Sequence, residues 1–348
     1  KASSTRATTL IEDTKIVVNS GHGIRVMNGS LTANNFEIIA YNYGVDANSK
    51  SNVFLSNGRI ETRSDYGHGI NAAADISDIR TVKIQVDNVD IITHGKYASG
   101  VENIHVRSAI SRSNIHTYGN SGHGVTAGNG GSATWPGSFV TVNTTKITTE
   151  GTNAYGLVAT TGSTIDGRQL TINTLGEGAI GARSHQTGRI VLSEGTSITT
   201  EGENAHGVAL TFGSAATISD TTITTSGNDA AGIYTVGYNP PDNMTSLPQH
   251  TNTIDVKNSK IMKKLISFIA LLFCTAIICK AQMSSLVGKP APPIIFQQNI
   301  GKVVNPGFYK GKILVLDFWA TWCAPCIANF PHYNQLAASY QNKDVVFA

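Results

Sequence analysis

Cysteine is absent from the first 261 residues; all four, Cys274, Cys279, Cys323 and Cys326, lie beyond them. The long first stretch therefore relies on neither disulfides nor thiolate metal sites. Charge is also scarce, at 14% of the 348 residues, and no long block of one sign occurs. With 40% of residues hydrophobic and 35 glycines, this is nevertheless not a disordered composition. No basic stripe with interleaved aromatics is present, which argues against nucleic acid as a partner. The net charge of +3 hides an asymmetry: residues 1–261 carry 18 basic against 21 acidic groups, and residues 262–348 carry 8 against 2.

What the first stretch does have is a repeat. Ile-x-Thr, six residues, then Gly recurs seven times. The isoleucines are Ile60, Ile91, Ile115, Ile147, Ile172, Ile198 and Ile223. Their threonines are Thr62, Thr93, Thr117, Thr149, Thr174, Thr200 and Thr225, and their glycines Gly69, Gly100, Gly124, Gly156, Gly181, Gly207 and Gly232. The starts are 31, 24, 32, 25, 26 and 25 residues apart, and two degenerate copies ending at Gly23 and Gly44 come first.

In a strand, residues i and i+2 share a face, so each Ile and its Thr point the same way, inward. The glycine provides a corner, through positive φ or close backbone approach. The next apolar residue (Ile70, Val101, Val125, Leu157, Val208, Ile233) opens a second inward strand. A third alternating run, such as Phe139–Val142 or Arg189–Leu192, precedes each Ile. Three short strands in about 25 residues make one coil of a right-handed parallel β-helix. One coil cannot bury its own core, but nine stacked coils can, in a rod of about 43 Å. Helical repeats are a poor rival, because the apolar period is 2 and Thr, Asn, Ser and Gly abound. Leucine-rich repeats need a signature that is absent, and a propeller blade needs about 40 residues.

The phrases Thr148–Leu157 and Thr199–Val208 resemble the passenger domains of pertactin-like bacterial autotransporters, over about residues 10–261. The resemblance implies export through the outer membrane and display on the bacterial surface, often for adhesion, with a host surface or glycan as ligand. The family's translocator β-barrel is not in the sequence and the chain begins with Lys1, so a passenger fragment is expected.

Chemistry on this part is sparse. His22, His68, His123 and His206 stand just before the glycine corner. The same column also holds Tyr43, Ser99, Tyr155, Ile180 and Ala231, which favours corner packing over a metal site. The residues after each Thr (Arg63, His94, Tyr118, Glu150, Leu175, Glu201, Ser226) read as a solvent-facing row. No concentration of carboxylates marks a polysaccharide-cleaving β-helix, and no Gly-x-Ser-x-Gly elbow occurs. Two insertions, Gly128–Gly137 with Trp135-Pro136 and Gly237–His250 with Pro240-Pro241, are more fitting as decoration than as binding loops.

At Ile261 a tenth copy should open, with its Thr at 263. Instead Met262-Lys263-Lys264 is followed by Leu265–Cys279 without a charge, then Cys279-Lys280-Ala281-Gln282. A basic start, a 15-residue apolar run and a polar boundary make a secretory signal segment over 262–282. Fifteen apolar residues are short for the roughly 20 that span a bilayer, although such a segment can contact a membrane. Two unrelated sequences joined at Ile261–Met262 are expected.

In residues 283–348, Ile313–Trp319 is a buried parallel strand by composition. Trp322-Cys323-Ala324-Pro325-Cys326 follows, then a helix to about Tyr340 and a strand from Lys343 to Phe347. Strand, Cys-x-x-Cys at a helix start, helix, strand is the context that makes the motif redox chemistry. The helix N-terminus favours a thiolate at Cys323, which would attack a substrate disulfide, and Cys326 would resolve the mixed disulfide. A zinc site would need a second pair of ligands, and none follows.

The segment resembles thioredoxin-fold thiol–disulfide oxidoreductases of the TlpA/ResA-like, redoxin type. The matching residues are Val287–Pro292, Gly311-Lys312, Phe318–Cys326 and Pro331. The resemblance implies no cofactor beyond a Cys323–Cys326 disulfide, protein thiols and disulfides as partners, and a periplasmic or envelope location. By position, Asp317 matches the family's buried acid, Trp322 and Pro325 support the motif, and Pro331 matches the helix-kinking proline. The family's later strands, helices and cis-proline loop are not in the sequence, so a truncated thioredoxin-like domain is expected. The function expected for the whole is therefore a non-catalytic surface solenoid joined to part of an oxidoreductase. An active Cys323/Cys326 enzyme is the alternative, with a polysaccharide-processing β-helix behind it.

Overall fold

The computed structural model describes residues 7–74, 81–128, 137–237, 251–263, 311–315, 324–340 and 343–347. The chain divides into two units, Lys1–Ile266 and Ser267–Ala348.

The first unit is built from two parallel sheets, one of nine strands and one of 16. The nine-stranded sheet runs from Ile24–Met27 to Ile233–Val236, one strand per coil, giving the nine coils the repeat predicts. The pairing places like on like. Ile60 pairs with Ile91, and the ladder continues through Ile115, Ile147, Ile172, Ile198 and Ile223 to Ile261. The six isoleucines from Ile60 to Ile198 and Ile223 are all 0% exposed, as are the seven threonines. Period-2 alternation with β-branched side chains thus yields one continuous interior.

The first four coils depart from the expected three short strands. Thr8–Val18, Ser30–Ala40, Asn52–Thr62 and Lys83–Thr93 are single 11-residue strands. Later coils divide the same stretch, as in Arg107–Ser111 and Asn114–Thr117. Both forms bend at one left-handed residue: Asp13, Asn35, Asn57 and Asn88 early, then Arg112, Thr144 and Gln169. Asn and Asp tolerate that region well. Asn88 Nδ2 donates to Asn57 Oδ1 at 2.8 Å and Asn57 Nδ2 to Asn34 Oδ1 at 2.9 Å, so an amide ladder steadies the early bends while pairing continues through them.

The glycine corner is a matter of space rather than of positive φ. At Gly69 a β-carbon would collide with Ile91 Cγ2 of the next coil and lie 2.6 Å from the Gly100 carbonyl oxygen. The same clash recurs from Gly23 to Gly232. The threonine has a second duty beside filling the core: its hydroxyl donates to the carbonyl five residues on. Thr93 reaches Ala98 O at 2.7 Å and Thr117 reaches Gly122 O at 2.6 Å, with Thr149 and Thr200 doing the same. This satisfies a buried carbonyl at the corner.

The strand Lys260–Lys263 carries the ladder past Ile261: Met262 pairs with Thr224 and Lys263 with Thr225. The remaining apolar segment, 264–282, with Cys274 and Cys279, lies outside the described residues. Among the described residues no helix is long and apolar enough to cross a membrane.

In the second unit, Ile313–Val315 pairs in parallel with Val345–Phe347, and the helix Ala324–Ser339 lies between them in sequence. Two parallel neighbours require a crossover, and this helix supplies it.

Candidate functional site

The Cys-x-x-Cys sequence runs into the start of a helix. Helix Ala324–Ser339 begins on the residue directly after Cys323 and contains Pro325 and Cys326 in its first turn. The first turns of a helix hold N–H groups without intrahelical partners and the positive end of the dipole. No acidic residue lies in that first turn to offset it. A thiolate next to such a terminus is stabilised relative to the thiol. Asp317, Trp322 and Cys323 themselves lie outside the described residues, as does Val287–Pro292. Pro331 falls inside the helix, as the sequence implies. It removes one backbone donor, whose partner would have been the carbonyl of Ile327.

On the solenoid the histidine column is a backbone-capping device. His22 Nδ1 accepts from Tyr43 N at 3.3 Å, His68 from Ser99 N at 2.9 Å, His123 from Tyr155 N at 3.1 Å and His206 from Ala231 N at 3.0 Å. Each ring thus binds the amide of the equivalent position one coil on. The rings also stack on the next aromatic: His22 on Tyr43 at 4.7 Å between centroids, and His123 on Tyr155 at 4.8 Å. An accepting Nδ1 must be unprotonated, and burial favours the same state. It pushes His68 and His123 down to about 4 and lowers His206 as well. Among the described residues no three His, Cys, Asp or Glu side chains stand where they could share a metal ion.

The row after the threonines is exposed, as expected, from Arg63 to Glu201, with Leu175 40% exposed. Two features escaped the sequence. A second glycine column, Gly95, Gly119, Gly151, Gly176, Gly202 and Gly227, follows each Thr from Thr93 on by two; a β-carbon on any of them would strike the preceding coil's backbone carbonyl. A cleft lined by Tyr43, His68, Tyr97, Glu102, His123 and Thr160 unites residues from five coils. The insertions with Trp135-Pro136 and Pro240-Pro241 lie outside the described residues.

The family model that matches the chain falls within the second unit. Over 59 residues the chain is 39% identical to "Thiol-disulfide oxidoreductase ResA" of Bacillus cereus (strain ATCC 10987 / NRS 248) and to its namesake in Bacillus anthracis. Those alignments cover 17% of this chain and 34% of each relative. A thioredoxin of Coprinus comatus is 45% identical over 39 residues, 11% of this chain and 37% of that protein. The chain therefore spans about a third of the length of the curated relatives it matches. No solved structure matches the chain. Residues 286–348 match the Redoxin family model, so the C-terminal part of the chain is similar to Redoxin-type thiol–disulfide oxidoreductases.

Proposed function

We propose that the chain joins two unrelated sequences at Ile261–Met262: a secreted, non-catalytic surface solenoid of the autotransporter-passenger kind, and part of an extracytoplasmic thiol–disulfide oxidoreductase. The observation that carries the redox half is a Cys-x-x-Cys whose second cysteine lies in the first turn of a helix that links two parallel strands, within the Redoxin match. The Cys323 thiolate attacks one sulfur of a protein disulfide. That S–S bond breaks, a mixed disulfide forms and one substrate thiolate leaves. The Cys326 thiolate then attacks Cys323, releasing the second substrate thiolate. The substrate gains two electrons and the Cys323–Cys326 pair becomes a disulfide. Asp317 assists proton transfer around Cys326, while Trp322 and Pro325 shape the approach. No other cofactor takes part. Leu265–Cys279 is the segment suited to membrane contact.

The order of reactivity tests this reading. Alkylation of the reduced full chain with iodoacetamide across pH, read by peptide mass, is expected to show Cys323 reacting well below the ordinary thiol value of about 8.5. Reduction of insulin by the full chain is expected to be lost in Cys323→Ser. A Cys323 that titrates at or above the ordinary value overturns the assignment. Sequencing the gene across codons 261 and 262 tests the join, and one uninterrupted native frame refutes it.

A further inference from the structure

The two edges of the 16-stranded sheet are complementary in register. One edge is Thr8–Val18, which pairs among the described residues with Ser30–Ala40 alone. The other is Thr253–Lys257 with Lys260–Lys263; among the described residues these pair with Ala215–Ser219 and Thr222–Thr225 alone. Both edges cover the same stretch of the repeat. Ile16 and Ile261 stand in the isoleucine column. The left-handed residue comes three places earlier in each, Asp13 and Asn258, both at φ 48°. An edge strand leaves a row of backbone N–H and C=O groups to be paired. Its side chains are open too: Leu10 and Val17 are 63% and 53% exposed, and Ile261 and Met262 45% each.

A hydroxyl two places before the isoleucine links one coil to the next. Ser113 Oγ donates to Ser111 O at 2.7 Å and accepts Val89 N, from the coil before, at 3.2 Å. Ser259 repeats both bonds, to Lys257 O at 2.8 Å and from Thr221 N at 3.2 Å. The second, third and fourth coils have Phe36, Gly58 and Val89 at this position, without a hydroxyl. The first coil has Thr14, which already makes the first of the two bonds, to Glu12 O at 2.6 Å. The donor for its second bond would be the amide two places before the isoleucine of a preceding coil. With Ile16 laid over Ile261 of another copy, Ser259 N stands in that place.

We propose that the solenoid joins a second copy of itself end to end, with Thr8–Val18 of one chain paired in parallel on residues 253–263 of the next. The joint adds a strand to each edge through main-chain hydrogen bonds. It brings Ile16 over Ile261, Val17 beside Met262 and Ser259 N to Thr14 Oγ1. Glu12 falls beside Lys257. Asn258 meets the Asp13 carboxylate, as Asn35 Nδ2 does from the other side at 2.5 Å. Two rungs are mismatched, Leu10 beside Asp255 and Lys15 beside Lys260. Their charges are engaged, since Asp255 bonds Lys257 at 2.8 Å and Lys15 bonds Glu37 at 2.7 Å. Among the described residues the nine-stranded sheet stops one coil earlier, at Ile233–Val236, so the 16-stranded sheet makes the joint. The contact joins two different surfaces without closing on itself, so it yields open chains of copies rather than a dimer. Lys263 opposes it: this lysine stands in the buried threonine column, beside Thr225, and an inward charge on an edge resists strand addition. The joint is independent of the redox half and of any ligand.

The test follows the full chain by sedimentation velocity over a wide concentration range in reducing buffer. Species that grow beyond a dimer with concentration are expected. Glu12→Lys, at an exposed site, sets a second cation beside Lys257 and is expected to weaken association about fivefold without lowering the melting temperature. Lys263→Thr restores the column and is expected to tighten association about fivefold. A separate arm mixes a chain carrying Val17→Cys with one carrying Met262→Cys, oxidises the mixture and maps the peptides by mass. Neighbouring rungs about 4.8 Å apart lie within reach of a disulfide. A link from residue 17 of one chain to residue 262 of another is therefore expected, with none between Val17→Cys and Thr199→Cys. A monomer at every concentration overturns the joint. Association that ignores both charge variants overturns it, and so do oxidised oligomers whose links run 17 to 17 or 262 to 262 instead.

Discussion

Ile91 Cγ2 occupies the space where a β-carbon of Gly69 would be. This contact explains why the repeat couples its Ile and Gly: each glycine is the seat for the isoleucine of the coil above. In mid-rod, a β-carbon at Gly124 would strike Ile147 Cγ2 and lie 2.5 Å from the Gly156 carbonyl oxygen. Gly124→Ala is therefore expected to destabilise the solenoid by about 1–3 kcal/mol, the usual range for overpacking. Gly237 has nothing within 4 Å of its added β-carbon. Gly237→Ala is expected to be neutral or to stabilise by up to about 1 kcal/mol, through the unfolded chain. Urea unfolding of the two variants side by side measures the difference, and equal midpoints would refute the seating.

The threonine column offers a sharper contrast. Thr93 Oγ1 donates to Ala98 O at 2.7 Å, whereas Thr225 Oγ1 is buried without a partner. Thr93→Val should leave the Ala98 carbonyl unpaired and cost about 1–3 kcal/mol. Thr225→Val removes an unsatisfied hydroxyl from an equally buried place, so its midpoint should hold or rise. Calorimetric melting of both variants decides; a loss of the same size at both positions would mean that volume, not the hydrogen bond, selects threonine.

Acid should loosen the corners. His68 and His123 titrate near 4 in the folded chain, because burial disfavours their charged form. In the unfolded chain they titrate near 6.5. Above about 6.5 neither state is protonated and the capping bonds stand. As pH falls from there toward 4, the unfolded chain takes up protons that the folded one refuses, so stability declines through that window. Urea midpoints at pH 7.5 and 5.0 should differ for the parent and differ less for the His68→Asn/His123→Asn double variant, whose amide oxygens can accept in place of Nδ1. A midpoint that does not move between those pH values would contradict the assignment.

Much of this was open to reading in the sequence, for definite reasons. A strand's two-residue period and a fixed Ile-to-Gly spacing reveal an inward face without any knowledge of contacts, so Ile60 to Ile223 and Thr62 to Thr225 announce the core. The Redoxin-type segment was equally plain, because Trp322–Cys326 concentrates its signal in five residues. The second glycine column was in view and unread: Gly119 looks like turn composition until its neighbour, the Gly95 carbonyl, is placed beside it. The 11-residue strands of the first coils hid because Asn35 and Asn57 signal a turn, whereas the ladder pairs on both sides of them. The cleft was beyond reach. Tyr43, Tyr97 and Thr126 are far apart in sequence and meet only through stacking, and the left-handed backbone of Tyr66 and Tyr97 has no mark in composition.

The central claim is that like positions lie over one another, one coil of about 25 residues at a time. Thr199 and Thr224 are register partners on adjacent coils, and both are partly exposed. Thr148 lies two coils from Thr199, through Asn173. Adjacent strands are about 4.8 Å apart and alternate ones about 10 Å, while a disulfide needs Cα atoms within roughly 7 Å. Oxidation of Thr199→Cys/Thr224→Cys, followed by peptide mass mapping, is expected to link residue 199 to residue 224 nearly completely, with no such link in Thr199→Cys/Thr148→Cys. Failure of the first pair to close in a folded chain, or closure of the second, would contradict the stacked register.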